Sequence, residues 1–229
     1  STPISSTKIM ENTIHFFVAI FPQGYTLRNT KYIWPKIIHE ALPNYNYVNY
    51  AWGGASPLFI IKQFIESLPD IKKGDKAILL ETMPNRIEIY SPDSESIIPA
   101  TNGHILEAYE KKESPYFKSF SHICSALNFI IEHREENKED FEKFYRDINN
   151  TFLGYLDSIG VETILIPWQV SFDNIENSRF QTFKQLTKHK HKDGHFTILG
   201  HWQFANHVNE TYFNNKLKLR KKPKENMLI

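Results

Sequence analysis

The chain has 229 residues, of which 41% are hydrophobic and 14% aromatic, enough to fill one good-sized core. Lys and Arg together number 27 and Asp and Glu 26, so the charge balance indicates neither a nucleic-acid partner nor a membrane surface. The single cysteine, Cys124, excludes an internal disulfide and a cysteine-based metal site. No apolar run approaches the ~20 residues that span a bilayer.

Continuous apolar runs predict strands at residues 13–20 and 76–81, since such runs mark strands buried on both faces. Aromatic and β-branched content predicts a further strand at residues 45–50. Helical spacing predicts helices at residues 34–42, which Pro43 ends, and 57–68, which Ser56 and Pro57 begin. The predicted buried side of the second helix is Leu58, Ile61, Phe64, Ile65 and Leu68. The order strand, helix, strand, helix, strand indicates parallel pairing.

Residues 82–116 are less regular and predict a short hairpin, 86–90 with 96–98, over one end of the sheet. Helices are predicted at 121–134 and 138–158, the longer one ending before Gly160 with an apolar stripe of Phe141, Phe144, Tyr145, Ile148, Phe152, Tyr155 and Leu156. A fourth buried strand at 161–167 and a last helix at 198–208 follow. We expect an open, mostly parallel α/β sheet with helices on both faces, a flavodoxin-like three-layer sandwich that binds ligands at the carboxyl ends of its strands.

The predicted domain covers residues 13–215. Residues 1–12 are short and polar, which is typical of a tail, a linker, or a stalk left by removal of upstream sequence. The compartment therefore stays open, including an origin in a membrane-anchored or extracytoplasmic protein. Residues 216–229 carry a local basic run, which predicts a solvated tail, with a weak anionic partner as the alternative.

Asp193-Gly194-His195 precedes the last predicted helix and offers an acid/base pair. The carboxylate can accept a hydrogen bond from one ring nitrogen, fix the tautomer, and leave the other nitrogen free to take a proton. The alternative is an Asp that caps the helix beside a surface His. Polar or glycine residues also follow the other predicted strands, namely Gln23-Gly24, Gly53-Gly54 and Asn85.

Taken together, these blocks resemble the SGNH (GDSL-type) hydrolase superfamily over about residues 13–213. The resemblance implies an SGNH-hydrolase-like fold and an esterase or acyltransferase that acts on an ester-linked acyl group of a glycan or another small polar substrate. It implies His195 as the general base and Asp193 as its orienting carboxylate. The oxyanion donors would be the backbone N–H of Gly53 or Gly54 and the side chain of Asn85.

The first block departs from the family pattern, which is Gly-Asp-Ser-x-x-x-Gly with the Ser as nucleophile. When Gly24 is aligned with the last Gly of that motif, Val18, Ala19 and Ile20 occupy the positions of Gly, Asp and Ser. No serine lies between residues 6 and 56. Because isoleucine cannot attack a carbonyl, the usual nucleophile is missing from this alignment.

Other hydroxyls are candidates for that role. Tyr25 and Thr26 lie slightly further along the same loop. Ser56 lies between a strand and a helix, as in a nucleophile elbow, but Ser followed by Pro is also the pattern of a helix N-cap, which the sequence favours. Met83 and Arg86 replace the Gly and Asp that flank the family's Asn. Three functions stay open: an active esterase or acyltransferase, an inactive binding or scaffolding module, and a Ser56-based hydrolase.

The candidate substrate-binding residues follow predicted strands: Gln23, Gly24, Trp52 and Trp168. The two tryptophans are included because aromatic side chains suit a sugar or an acyl chain. Packing in the core is the alternative for the tryptophans. The histidines and aspartate within residues 189–195 are of the types that bind zinc, but the intervening lysines favour a solvated loop. We predict no metal and no cofactor; the expected partner is a small-molecule or glycan ester.

Overall fold

The computed structural model describes residues 12–18, 30–51, 55–91, 96–100, 124–167 and 198–224. In these ranges the strands are β1 (Asn12–Phe17), β2 (Tyr45–Asn49), β3 (Lys76–Leu80), β4 (Ile87–Ser91), β5 (Ser96–Ala100) and β6 (Glu162–Ile166). The α-helices are α1 (Trp34–Glu40), α2 (Pro57–Ser67), α3 (Cys124–Glu136), α4 (Lys138–Ser158) and α5 (Ile198–Tyr212). None of these helices is long and apolar enough to cross a bilayer.

Four of the strands form one parallel sheet in the order β2-β1-β3-β6. β1 lies between β2 and β3, with Ile14 opposite Tyr47 on one side and Lys76 on the other. β6 continues the sheet beyond β3. This is the strand order of flavodoxin-like folds, so the predicted parallel α/β sheet is confirmed. The predicted hairpin is also present, as an antiparallel pair of β4 and β5 outside that sheet.

Side chains of β1 alternate between two apolar clusters on opposite faces of the sheet. Ile14 and Phe16 pack with residues of α1 and α5, among them Trp34 and Phe204. Phe17 packs on the other face with residues of α2 and α4, including Ile60, Phe64, Leu153 and Leu156. The three-layer arrangement predicted from the sequence is therefore confirmed.

Two predicted helix boundaries are explained by single residues. Ser56 is the N-cap of α2, and Pro57 occupies its first turn. Gly160 follows α4 with a φ of +86°, a left-handed conformation that ends a helix at little cost only for glycine. A Cβ at this position would lie 3.0 Å from the side chain of Lys73. The helix therefore ends where the sequence predicts.

The buried faces of α2 and α4 agree only in part with the predicted ones: Phe64, Tyr145 and Leu156 are buried as predicted. α2 buries Pro57, Ile60, Phe64 and Ser67, whereas Leu58 and Ile65 are 45% and 50% exposed. α4 buries Tyr145, Asn149, Leu153 and Leu156, whereas Phe144 and Tyr155 are 56% and 53% exposed. Apolar residues lie around much of each helix, so spacing alone did not decide which side would face the sheet.

β1 also ends earlier than residue 20, the predicted end. Its last pairing with β3 is Phe17 opposite Leu79, and Val18 follows as a buried residue outside the strand. The strand includes Asn12, which pairs with Tyr45. The sheet pairing, rather than the length of the apolar run, sets both ends of the strand.

The chain after α5 lies against the domain as far as Arg220. Leu217 and Leu219 pack against the cluster that contains α1 and α5. The Asn209 side chain bonds the backbone N–H and C=O of Leu217, and the Trp202 indole donates to the backbone oxygen of Arg220. The exposed residues of this segment include Lys216, Lys218, Lys221, Lys222 and Lys224.

Candidate functional site

The carboxyl ends of four adjacent parallel strands meet at one edge of the sheet, which we call the carboxyl edge. β1 leads from this edge toward Gln23 and Gly24, and β2 toward Trp52, Gly53 and Gly54. β6 leads toward Trp168, Asp193 and His195. These eight predicted site residues lie outside the described residues. Ser56 and Asn85 are the two predicted site residues that the structure describes.

Ser56 lies at the carboxyl edge, where its side chain caps α2. It is fully buried, and its Oγ accepts a hydrogen bond from the backbone N–H of Phe59 at 3.1 Å. A carboxylate oxygen of Glu88 accepts from the same N–H at 2.9 Å, and burial raises the pKa of Glu88. The N-cap predicted at Ser56 is therefore present, and its hydroxyl oxygen is engaged with the helix backbone.

Asn85 follows β3 and directs its amide toward α3. Its Nδ2 donates to a carboxylate oxygen of Glu135 at 2.9 Å. An oxyanion donor must point its N–H at the place where the negative charge develops. In this arrangement a carboxylate of α3 already occupies that amide donor.

Arg86 is buried at the carboxyl edge, with 4% of its surface exposed. Its Nη1 donates to the backbone oxygen of Ala55 at 3.2 Å and to the Thr82 hydroxyl at 2.9 Å. The Thr82 hydroxyl in turn donates to the same oxygen of Ala55 at 2.9 Å. Arg86 thus joins the segment after β3 to the residues that begin α2. The sequence marked this position only as a departure from the Asp of the family.

Glu81 follows β3 directly and forms a bidentate ion pair with Arg146 of α4. Arg146 donates from Nε at 3.1 Å and from Nη2 at 2.7 Å to the two carboxylate oxygens. The hydrogen bonds to Glu81 raise the pKa of Arg146 above its ordinary value. A small cavity lies beside this pair, lined by Pro57, Ile60, Leu79, Glu81, Thr82, Pro84, Glu142, Tyr145 and Asn149. Burial raises the pKa of Glu142 in its wall.

A histidine–aspartate pair that the sequence did not single out joins β1 to the residue directly before β3. His15 and Asp75 are buried, and Nε2 of His15 lies 3.2 Å from a carboxylate oxygen of Asp75. The Tyr50 hydroxyl lies 3.3 Å from Nδ1 of the same ring. Asp75 also accepts from the backbone N–H of Thr13 at 2.7 Å and of Lys72 at 3.0 Å.

These contacts give the pair a structural role. Asp75, directly before β3, joins the amino end of that strand to Thr13 and His15 of β1. Through Tyr50, which directly follows β2, His15 also contacts the neighbouring strand. Burial lowers the pKa of His15, against the raising effect of its bond to Asp75. No sequence signal could have revealed the pair, because 60 residues separate its members and His15 lies inside an apolar run.

The two histidines of α5, His201 and His207, are both buried. Nδ1 of His201 accepts from the backbone N–H of Trp34 at 3.4 Å, at the beginning of α1. In the part of the chain that the structure describes, no three His, Cys, Asp or Glu side chains are grouped to hold a metal ion. The histidines of residues 189–195 lie outside that part.

Comparison with known proteins gives one similar structure. No family model matches the chain, and no curated protein matches it. The structure is similar to the crystal structure of a member of the lipolytic protein G-D-S-L family from Veillonella parvula. The two chains share 12% sequence identity with a TM-score of 0.40, over 88% of this chain and 98% of the other.

Proposed function

We propose that this chain is an SGNH-type domain that hydrolyses or transfers an ester-linked acyl group of a glycan or another small polar molecule. In this proposal the reaction takes place at the carboxyl edge. His195 is the general base, and Asp193 orients its ring. The oxyanion donors are the backbone N–H of Gly53 or Gly54, together with Asn85 once its amide leaves Glu135.

The strand order is the observation that carries this proposal. The segments that resemble the family's blocks follow β1, β2, β3 and β6, and these four strands are neighbours in one parallel sheet. Ligands of such sheets bind outside the carboxyl ends of the strands. A protein that uses residues from all four segments therefore needs this topology, although the segments are far apart in sequence.

Water is the nucleophile that fits the residues present, because the position of the family's serine is apolar. His195 takes a proton from the water while the water oxygen forms a bond to the ester carbonyl carbon. The bond between that carbon and the ester oxygen then breaks, and the proton passes to the departing alcohol. Base catalysis of this kind contributes about 10²–10⁴-fold to a rate.

A second function, an inactive module that binds a ligand at the same edge, is favoured by two side chains. Val18, just after β1, is apolar and buried where the family's first block begins. The Ser56 hydroxyl oxygen accepts a backbone hydrogen bond as the cap of α2. Neither residue supplies a free nucleophile.

Hydrolysis of nitrophenyl acetate by the wild type and two variants tests these functions. His195→Ala is expected to lower kcat/KM by about 10²-fold or more. Ser56→Gly removes the hydroxyl, whereas glycine at an N-cap costs only about a few tenths of a kcal/mol, so turnover should stay within about twofold of the wild type. The matched control is His133→Ala, since His133 is exposed on α3.

Each other outcome selects a different function. Loss of turnover in Ser56→Gly, with folding preserved, would assign the nucleophile to Ser56. Turnover no greater than in buffer, for nitrophenyl esters of short and medium acyl chains alike, would favour the inactive binding module. Equal loss in His195→Ala and His133→Ala would contradict a specific general base.

A further inference from the structure

Arg86 carries a buried charge without a carboxylate partner among the described residues. Its side chain is 4% exposed, and burial lowers its pKa to about 10. A buried charge without a counter-charge costs several kcal/mol. The groups that its hydrogen bonds reach are neutral: a backbone oxygen, a hydroxyl and a thioether sulfur.

The hydrogen bonds of Arg86 fall on one side of its guanidinium. Nη1 donates to two oxygens, from Ala55 and Thr82. Nε is buried and has no hydrogen-bond partner. Nη2 reaches the sulfur of Met83 at 3.8 Å, and a thioether is a weak acceptor. The Nε–Nη2 edge therefore faces no oxygen acceptor of the described residues.

Arg146 shows, in the same protein, what this edge of an arginine binds. Its Nε and Nη2 each donate to one oxygen of Glu81. Two parallel N–H donors match the two oxygens of a carboxylate or of a phosphate group, which is why arginine is common where such groups are recognised. The corresponding edge of Arg86 has the same donors, and no described residue supplies it with a carboxylate.

The surroundings of Arg86 add to the preference for an anion. The Ala55 oxygen that it binds lies one residue before the N-cap of α2, an eleven-residue helix whose N-terminus favours negative charge. Arg134 adds a second cation, since its Nη1 donates to the backbone oxygens of Pro84 and Arg86. The carboxylate at this helix end, Glu88, accepts from Phe59, so among the described residues the Nε–Nη2 edge of Arg86 has no oxygen acceptor.

We propose that Arg86 binds a carboxylate or phosphate group of the ligand through its Nε–Nη2 edge, beside the N-terminus of α2. This inference extends the proposed function and rests on it only for the location of the ligand at the carboxyl edge. The ligand carries an anionic group whether the protein converts it or only binds it. The cation takes the place of the Asp that the family has next to its Asn. The ligand class is then an anionic ester or an anionic sugar rather than a neutral lipid ester.

Thermal unfolding of the full chain with sodium acetate and with inorganic phosphate tests the proposal. We expect at least one of the two to raise Tm with saturation, by more than sodium chloride of equal ionic strength. Acetate alone would identify a carboxylate, and phosphate alone a phosphate group. An unchanged Tm with both anions would overturn the proposal.

Two matched substitutions show which arginine is responsible. Arg86→Lys keeps the charge but removes the bidentate Nε–Nη2 pair of donors, so anion affinity should fall about tenfold or more. Arg146→Lys makes the same change where Glu81 already fills the edge, and affinity should stay within about twofold. Equal affinity in wild type and Arg86→Lys, or equal loss in both variants, would overturn the assignment.

A measurement on the wild type covers the case in which Arg86→Lys does not fold. The Nε–H proton resonance of Arg86, assigned through the side-chain resonances of the same residue, should move and saturate as the anion is added. A resonance that does not move overturns the proposal. Because these experiments measure binding without an ester, failure of ester hydrolysis leaves their result unaffected, and the two failures are distinguishable.

Discussion

At the scale of single residues, Asp75 is the side chain whose loss we expect to destabilise the protein strongly. It is buried and accepts hydrogen bonds from the backbones of Thr13 and Lys72 while contacting His15. Asp75→Asn exchanges one acceptor oxygen for an amide that cannot accept. We expect the free energy of unfolding in urea to fall by about 3 kcal/mol, because a buried charged network loses one partner.

The control for Asp75 is the same substitution at an exposed position. Asp147 lies on the exposed side of α4, and Asp147→Asn should change the free energy of unfolding by no more than about 0.5 kcal/mol. A similar small change in both variants would mean that the contacts of Asp75 contribute little to stability.

The residues of the candidate site illustrate what a sequence can reveal at this scale. Ser56 was predicted as an N-cap, because a Ser before a Pro and an apolar helix is a local pattern. The burial of Arg86 was not predicted, because it depends on Ala55 and Thr82, which the fold brings together from separate segments. His15 was missed for the same reason.

At the scale of elements, the beginning of α2 depends on the Ser56 cap. Ser56→Ala removes one acceptor from the N–H of Phe59, although Glu88 still accepts from it. We expect a loss of about 1 kcal/mol in the free energy of unfolding, measured in urea. Ser56→Gly should lose only about a few tenths of a kcal/mol.

An exposed serine supplies the control for the cap. Ser158 bonds the backbone oxygen of Tyr155 near the end of α4, and its side chain is exposed. Ser158→Ala should therefore cost less than Ser56→Ala. A loss in Ser56→Ala no greater than in Ser158→Ala would mean that Glu88 alone caps the helix.

The helices and strands were predicted more accurately than the faces that they bury. β1, β3 and β6 contain short apolar runs, a signal that does not depend on the rest of the fold. The buried face of α2 depends on the position of Phe17 in β1. The ring centroid of Phe17 lies 5.1 Å from that of Phe64. Ile65, beside Phe64 in sequence, is equally apolar and half exposed, so spacing could not separate them.

At the scale of the whole molecule, buried histidines should make folding stability depend on pH. Burial lowers the pKa of His15 and of His207 below 6.5. In the unfolded chain these groups take up protons at their ordinary pKa of about 6.5, before they do so in the folded protein. The contribution of these neutral histidines to the free energy of unfolding is therefore fully present above about pH 6.5 and is lost as the pH falls below it.

Urea unfolding at pH 7.5 and pH 5.5 measures this dependence. We expect the free energy of unfolding to be smaller at pH 5.5, and the difference to shrink in His207→Gln but not in His133→Gln, an exposed position. Burial raises the pKa values of Glu88 and Glu142, so these two groups make the protein more stable as the pH falls. Their effect is the same in wild type and variants and does not change the comparison. An equal pH dependence in wild type and His207→Gln would contradict the prediction.

The sheet also determines when the protein can complete its fold during synthesis. Phe204, Ala205 and Val208 of α5 belong to the same apolar cluster as Phe16 of β1 and Ile166 of β6. A chain still on the ribosome, with α5 not yet made, therefore leaves part of this face of its sheet uncovered. Because uncovered apolar surface favours aggregation, the nascent protein should need chaperones until α5 emerges.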